Sequence, residues 1–106
     1  MLTGAVIGCG PAGRTHLAAW RRVRTARIEC VLDLDPARAA QAARDFGARR
    51  HYSEFDRMAA EMRLDFVDIV AGADSQPAPA ERAVAAAWHV LAETPLAPSM
   101  KAAAEM

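Results

Sequence analysis

The sequence predicts a three-layer, doubly wound α/β fold built on a parallel sheet. Three observations carry the prediction. Short apolar runs alternate with amphipathic stretches along the chain, the pattern of strands joined by helical crossovers. The first apolar run breaks into three spaced glycines, Gly8, Gly10 and Gly13. The second ends on an acid, Asp33, 20 positions beyond the last of these glycines. Helices on both faces and right-handed crossovers give an expected strand order of 3-2-1-4-5. The 106 residues are expected to form one domain, 1–106.

Taken in order, Leu2 to Ile7 reads as a short buried strand running straight into Gly8. Gly8-Cys9-Gly10-Pro11-Ala12-Gly13 fits G-x-G-x-x-G, the turn that carries a Rossmann strand over a dinucleotide pyrophosphate and into a helix. Gly8 permits the tight turn, Gly10 lets the backbone approach phosphate, and Gly13 lets the helix pack closely. Cys9, Pro11 and Ala12 belong to the same candidate cofactor-binding loop. Cys9 sits beside a helix N-terminus, a place that can lower a thiol pKa. The plainer reading is a small residue whose backbone does the binding.

From Arg14 onward Leu17, Trp20 and Val23 recur at helical spacing, and Arg14, Arg21, Arg22 and Arg24 between them read as a solvated face. Arg27 to Asp33 is the second strand, with Ile28, Cys30 and Leu32 expected on one face and Val31 on the other. Asp33 stands where a carboxylate accepts hydrogen bonds from the adenosine ribose hydroxyls. A 2′-phosphate would meet like charge there, so NAD is favoured over NADP.

Asp35 is the expected N-cap of a helix that starts at Pro36, buries Ala39, Ala43 and Phe46, and stops at Gly47. Arg49 to Tyr52 is a short third strand. Ser53 with Asp56 resembles a capping box for a helix through Met62, anchored by Phe55 and Met58. Asp65 to Val70 is the fourth strand, and its end, Ala71 to Ser75, is expected beside the glycine turn. Pro77 to Ala87 reads as a helix, Trp88 to Leu91 as a fifth strand, and Pro98 to Met106 as the start of another helix. On this reading a sixth strand is missing.

Composition narrows the function. The hydrophobic share is 53%, but 26 of those residues are alanine, which buries little area. Thirteen basic and thirteen acidic side chains cancel, so nothing global draws the chain to nucleic acid or an anionic membrane. No apolar run approaches the roughly 20 residues of a membrane span. The first strand follows the initiating methionine so closely that no signal peptide is expected. Two cysteines make neither a disulfide framework nor a metal pattern, and a cytoplasmic location with no metal is the expectation. His89 is expected to be packed and hydrogen-bonded at a strand start, His16 to touch the cofactor or the neighbouring loop, and His51 has no assignable role.

Two further segments make the reading more specific. Asp33-Leu34-Asp35-Pro36-Ala37-Arg38-Ala39 resembles a D-x-D-P-x-R-A run, and His89 to Ala97 resembles a K-H-V-L-x-E-K-P-L-A run. Both are similar to the nucleotide-binding domain of the Gfo/Idh/MocA family, the glucose–fructose oxidoreductase and inositol dehydrogenase relatives. The resemblance covers nearly the whole chain. It implies a nicotinamide-dependent oxidoreductase of sugars, cyclitols or related carbinols, with a second, C-terminal domain for substrate that this chain lacks. Ala71 and Glu93 are implied to line the cofactor site, Glu93 by shaping the loop near the nicotinamide ribose.

The departures are equally specific. The family's E-K-P lysine, implied to assist proton transfer at the reacting hydroxyl, falls on Thr94, which carries no ammonium. Ala73 and Gln76 lie near positions where the family has proline and histidine, and Ala87-Trp88 stands where Gly-Lys is usual. No catalytic residue is therefore assigned. The leading expectation is a dinucleotide-binding domain, truncated and inactive alone, that either self-associates or meets a separate substrate-domain partner. A non-catalytic nucleotide-binding sensor or partner module is the alternative. A flavin-binding fragment, suggested by Gly10-Pro11-Ala12-Gly13, ranks third.

Overall fold

The computed structural model describes residues 1–70 and 77–92. Among these residues five strands and four helices alternate: β1 (Leu2–Ile7), α1 (Pro11–Trp20), β2 (Ala26–Leu32), α2 (Pro36–Phe46), β3 (Arg50–Tyr52), α3 (Phe55–Glu61), β4 (Phe66–Ile69), α4 (Pro77–Ala85) and β5 (His89–Ala92). All the strand pairings are parallel, and the sheet order is β3-β2-β1-β4-β5. The expected doubly wound order is therefore the observed one. It places β1 at the centre, where the order reverses and a cleft opens beyond the carboxyl ends of β1 and β4.

Two apolar clusters make the three layers. On one face Ala5, Ile7, Cys30, Leu32, Val67 and Ile69 pack against Met58 of α3 and Ala83 of α4. On the other Val6 and Val31 pack against Leu17 of α1 and Ala42 and Ala43 of α2. The alanines let the helices approach the sheet closely, which compensates in contact for what they lack in area.

Local chemistry sets most boundaries. Asp35 caps α2 by accepting from the Ala37 and Arg38 N–H groups, Pro36 takes the first position, and Gly47 ends the helix in the left-handed region at φ 77°. In the middle of β1, Gly4 leaves room for the Phe66 ring, whose Cζ would lie 2.2 Å from a Cβ there. An isolated glycine in a strand often marks such a close approach.

Four expectations need correction. The pairing of β1 with β2 slips between Gly4 and Ala5, because Ile28 faces Gly4 while Cys30 faces Ala5. Glu29 is the extra residue, so Ile28 packs with Val31 rather than with Cys30 and Leu32. The Ser53–Asp56 capping box does not form: Glu54 occupies the cap of α3, with no side-chain hydrogen bond. Val23 lies beyond the end of α1 and is exposed. Trp88 precedes β5 instead of opening it, buried with its ring centroid 5.7 Å from that of Phe55. Pro98 to Met106 lies outside the described residues.

Candidate dinucleotide site

Gly8 leaves β1 with φ 106°, a left-handed conformation that side chains disfavour. Its N–H donates to the Leu32 carbonyl at 2.7 Å, so the turn stays tied to the end of β2. A Cβ on Gly13 would lie 1.7 Å from the Gly8 carbonyl oxygen, which allows only glycine where α1 crosses the turn. Gly10 differs. Its φ of −74° suits any residue, and a Cβ there would meet nothing nearer than Arg38 Nη1 at 4.0 Å. The space is open on the cleft side, where a bound phosphate would fill it.

Pro11 takes the first position of α1, behind Gly10 as N-cap, and Pro11 and Ala12 are exposed. Pro11 has no N–H to leave unpaired, and the Ala12 and Gly13 amides, in the first turn, have no intrahelical acceptors. Together with the positive end of the helix dipole they suit an anion.

Asp33 closes the other side. Its Oδ2 accepts from the Cys9 N–H at 2.8 Å and its Oδ1 from the Asp35 N–H at 2.9 Å. One carboxylate therefore fixes the glycine turn to the start of α2. Each oxygen retains a lone-pair direction after these bonds, enough to accept from two vicinal hydroxyls. Arg38 Nη1 stands 4.0 Å from Asp33 Oδ2, on the first turn of α2.

Gly8, Gly10, Asp33, Asp35 and Arg38 line a cleft of about 930 Å³ with Ile7, Leu34, Ser53, Phe55 and Val70. On the far wall the Arg82 guanidinium lies 4.8 Å over the Phe55 ring and pairs with Asp56. The volume, the open space at Gly10 and the acceptor at Asp33 would suit an adenosine dinucleotide.

Gly8, Cys9, Gly10, Pro11, Ala12, Gly13 and Asp33, singled out from the sequence, are thus brought together. Ala71, Glu93 and Thr94 lie outside the described residues, as do Ala73 and Gln76. Cys9 is 1% exposed, and its thiol donates to the Leu32 carbonyl at 3.6 Å. Burial, reinforced by the charge of Asp33, pushes its pKa up to about 12. The helix N-terminus does not activate it. Among the described residues no three His, Cys, Asp or Glu side chains gather as a metal set.

The histidines also depart from expectation. His16 turns from the cleft to Asp68 of β4, with Nδ1 2.7 Å from Oδ2. His89 is exposed, not packed, because its side chain projects from an edge strand, and His51 is exposed as well. The arginines after Leu17 are exposed, while Arg14 binds Asp45 of α2 at 2.6 Å and lies 5.0 Å over the Phe46 ring. Sequence reasoning did not find the contact of Arg38 with Asp33 or the cluster around Asp68. The spacing of His16 and Trp20, one helical turn apart, was the available signal for the second.

A parallel sheet with a glycine turn at its topological switch point and an acid at the end of the neighbouring strand defines a dinucleotide-binding domain. Residues 2–106 match the model of the Gfo/Idh/MocA oxidoreductase family, the NAD-binding Rossmann fold domain, and the chain belongs to that family. It is 38% identical over 94 residues to a D-apiose dehydrogenase of Paraburkholderia graminis, covering 89% of this chain and 25% of that protein. A D-apiose dehydrogenase of Rhizobium rhizogenes is 34% identical over 105 residues, covering 99% and 30%. Among solved structures, an oxidoreductase from Agrobacterium radiobacter in complex with NAD+, L-tartaric acid and magnesium superposes with a TM-score of 0.92. It is 34% identical and covers 97% of this chain and 30% of its own. The chain thus spans between a quarter and a third of the relatives it matches. NAD is the cofactor of the domain. No helix among the described residues is long and apolar enough to cross a membrane.

Proposed function

We propose that this chain is the NAD-holding part of an oxidoreductase acting on a sugar, cyclitol or related carbinol, and that it performs no turnover alone. The observation that carries the reading is the Asp33 carboxylate, held by the Cys9 and Asp35 amides opposite the open space at Gly10. Gly8, Cys9, Gly10, Pro11, Ala12 and Gly13 serve the pyrophosphate, Asp33 serves the adenosine ribose, and Ala71 and Glu93 serve the nicotinamide side. Asp33 favours NAD over NADP, because a 2′-phosphate would sit against its charge. The D-apiose dehydrogenase relatives support a carbinol substrate.

When bound, NAD would supply the hydride acceptor for such a reaction, and the hydroxyl proton would need a separate acceptor among the protein's own residues. Thr94 supplies none at the family's lysine position. The same substitution favours a second reading, a non-catalytic nucleotide-binding module. Two buried free thiols suit a reducing, cytoplasmic compartment, and a second copy or a substrate-domain subunit is the partner in this account.

Calorimetry with NAD and NADP, followed by a turnover assay over sugars and polyols, tests the reading. NAD binding without turnover is expected, with NADP weaker. Turnover by the isolated chain, or equal affinity for the two cofactors, contradicts it.

A further inference from the structure

Two buried acids lie outside the dinucleotide cleft: Glu29, which pairs with Arg27 and Arg49, and Asp68. Asp68 sits in the middle of the sheet, beside Val6 of β1 and Leu91 of β5 in register, and is 5% exposed. A carboxylate in such a place is costly unless hydrogen bonds replace its water. Here two ring nitrogens from one helix meet a single oxygen. Asp68 Oδ2 accepts from Trp20 Nε1 at 2.8 Å and lies 2.7 Å from His16 Nδ1. The second contact is a hydrogen bond from His16 to the carboxylate oxygen when the proton sits on Nδ1. His16 and Trp20 are four residues apart, on the same side of α1 in successive turns. The Trp20 ring also stacks on Phe66 with centroids 4.9 Å apart, and Phe66 in turn covers Gly4.

α1 is held near its start by Gly13 on the Gly8 carbonyl and by Arg14 on Asp45. It is held in the middle by Leu17 on Val6 and Val31, and toward its end by Asp68 on His16 and Trp20. Contact of Gly13 with the Gly8 carbonyl sets its distance from β1, and the grip of Asp68 on His16 and Trp20 sets its angle about that point. The free amides at Ala12 and Gly13 move with the helix. We propose that Asp68 is a positioning residue for dinucleotide binding: by gripping His16 and Trp20 it fixes the angle of α1 and the aim of those amides at the pyrophosphate. Asp33 and α2, which face the adenosine, meet the glycine turn and α1 through Cys9–Asp33 and Arg14–Asp45 rather than through Asp68. The inference rests on the dinucleotide reading above.

The test compares ADP with adenosine, measured by amide-shift titration of the full chain and its variants. The readout is the ratio of the adenosine Kd to the ADP Kd, which a uniform loss of folded protein leaves unchanged. Asp68→Leu keeps bulk but removes the acceptor, and is expected to lower the ratio about tenfold with adenosine affinity held within about twofold. Trp20→Phe keeps the ring on Phe66 and loses only the N–H, with about a threefold fall expected. Asp68→Asn retains an oxygen acceptor and should bring the ratio most of the way back. An unchanged ratio in folded Asp68→Leu and Trp20→Phe overturns the proposal. If Asp68→Leu does not fold, Trp20→Phe alone decides. A wild-type chain that binds ADP while the ratio stays fixed sinks only this inference. A wild-type chain that binds neither ligand at millimolar concentration sinks the dinucleotide reading with it.

Discussion

A Cβ on Gly13 would lie 1.7 Å from a backbone oxygen, so the smallest side chain must push α1 off the turn. Gly13→Ala is therefore expected to cost about 3 kcal/mol in urea unfolding, within the range of buried steric changes. Ala87 presents the opposite case. It holds φ 64° just beyond α4. Ala87→Gly should raise stability by about 1 kcal/mol, because the left-handed conformation penalises a Cβ. A lower urea midpoint would contradict that account. The buried thiols give a pH signature. Burial first, then the neighbouring carboxylates, push Cys9 and Cys30 from 9.0 up to about 12. Raised pKa values stabilise the fold fully below pH 9, where both states are protonated. Between about pH 9 and 12 the unfolded chain loses its thiol protons first, and stability falls. Urea midpoints measured from pH 8 upward should drop more steeply in the wild type than in a Cys9→Ala, Cys30→Ala double variant. Reading Cys9 from the sequence left its environment open, since a helix N-terminus and a buried turn coincide at one residue and only packing decides between them.

At the scale of elements, helix caps separate what patterns reveal from what they suggest. Asp35 and Gly47 were legible because a cap acid before proline and a glycine stop act within a few residues of chain. Ser53 and Asp56 matched a capping pattern equally well, yet the chain enters α3 one residue later, with Glu54 in the cap. Asp35→Ala should therefore cost about 1 kcal/mol, while Ser53→Ala should change stability by less than about 0.5 kcal/mol. Equal losses in thermal melts of the two variants would contradict the observed caps. The irregularity at Gly4/Ala5 was not legible for a related reason. Alternation along β2 assumes regular pairing, and one unpaired residue, Glu29, inverts the assignment of Ile28.

For the molecule as a whole, the strand order followed from alternation and the glycine turn, because parallel crossovers leave few arrangements. The Asp33 side of the cleft followed from spacing alone. The Asp68 cluster did not, because an acid inside a strand reads as solvent-facing until two side chains from α1 are placed over it. β5 forms one edge of the described sheet, with Leu91 48% exposed, and the formal charge of the chain is zero. A sheet edge that nothing else covers, without charge repulsion, favours pairing between chains. Light scattering should accordingly show self-association at micromolar concentration, and a stable monomer throughout that range would count against pairing at this edge.

The most direct check on the account is an amide-resolved titration of the chain with NAD. Shifts should concentrate at Gly8, Cys9, Gly10, Gly13, Leu34 and Arg38, and Asp33→Ala should weaken binding by about tenfold. Shifts centred instead on Thr15, Ala19 and Leu91, or undiminished NAD binding by Asp33→Ala, would contradict a dinucleotide site at the glycine turn.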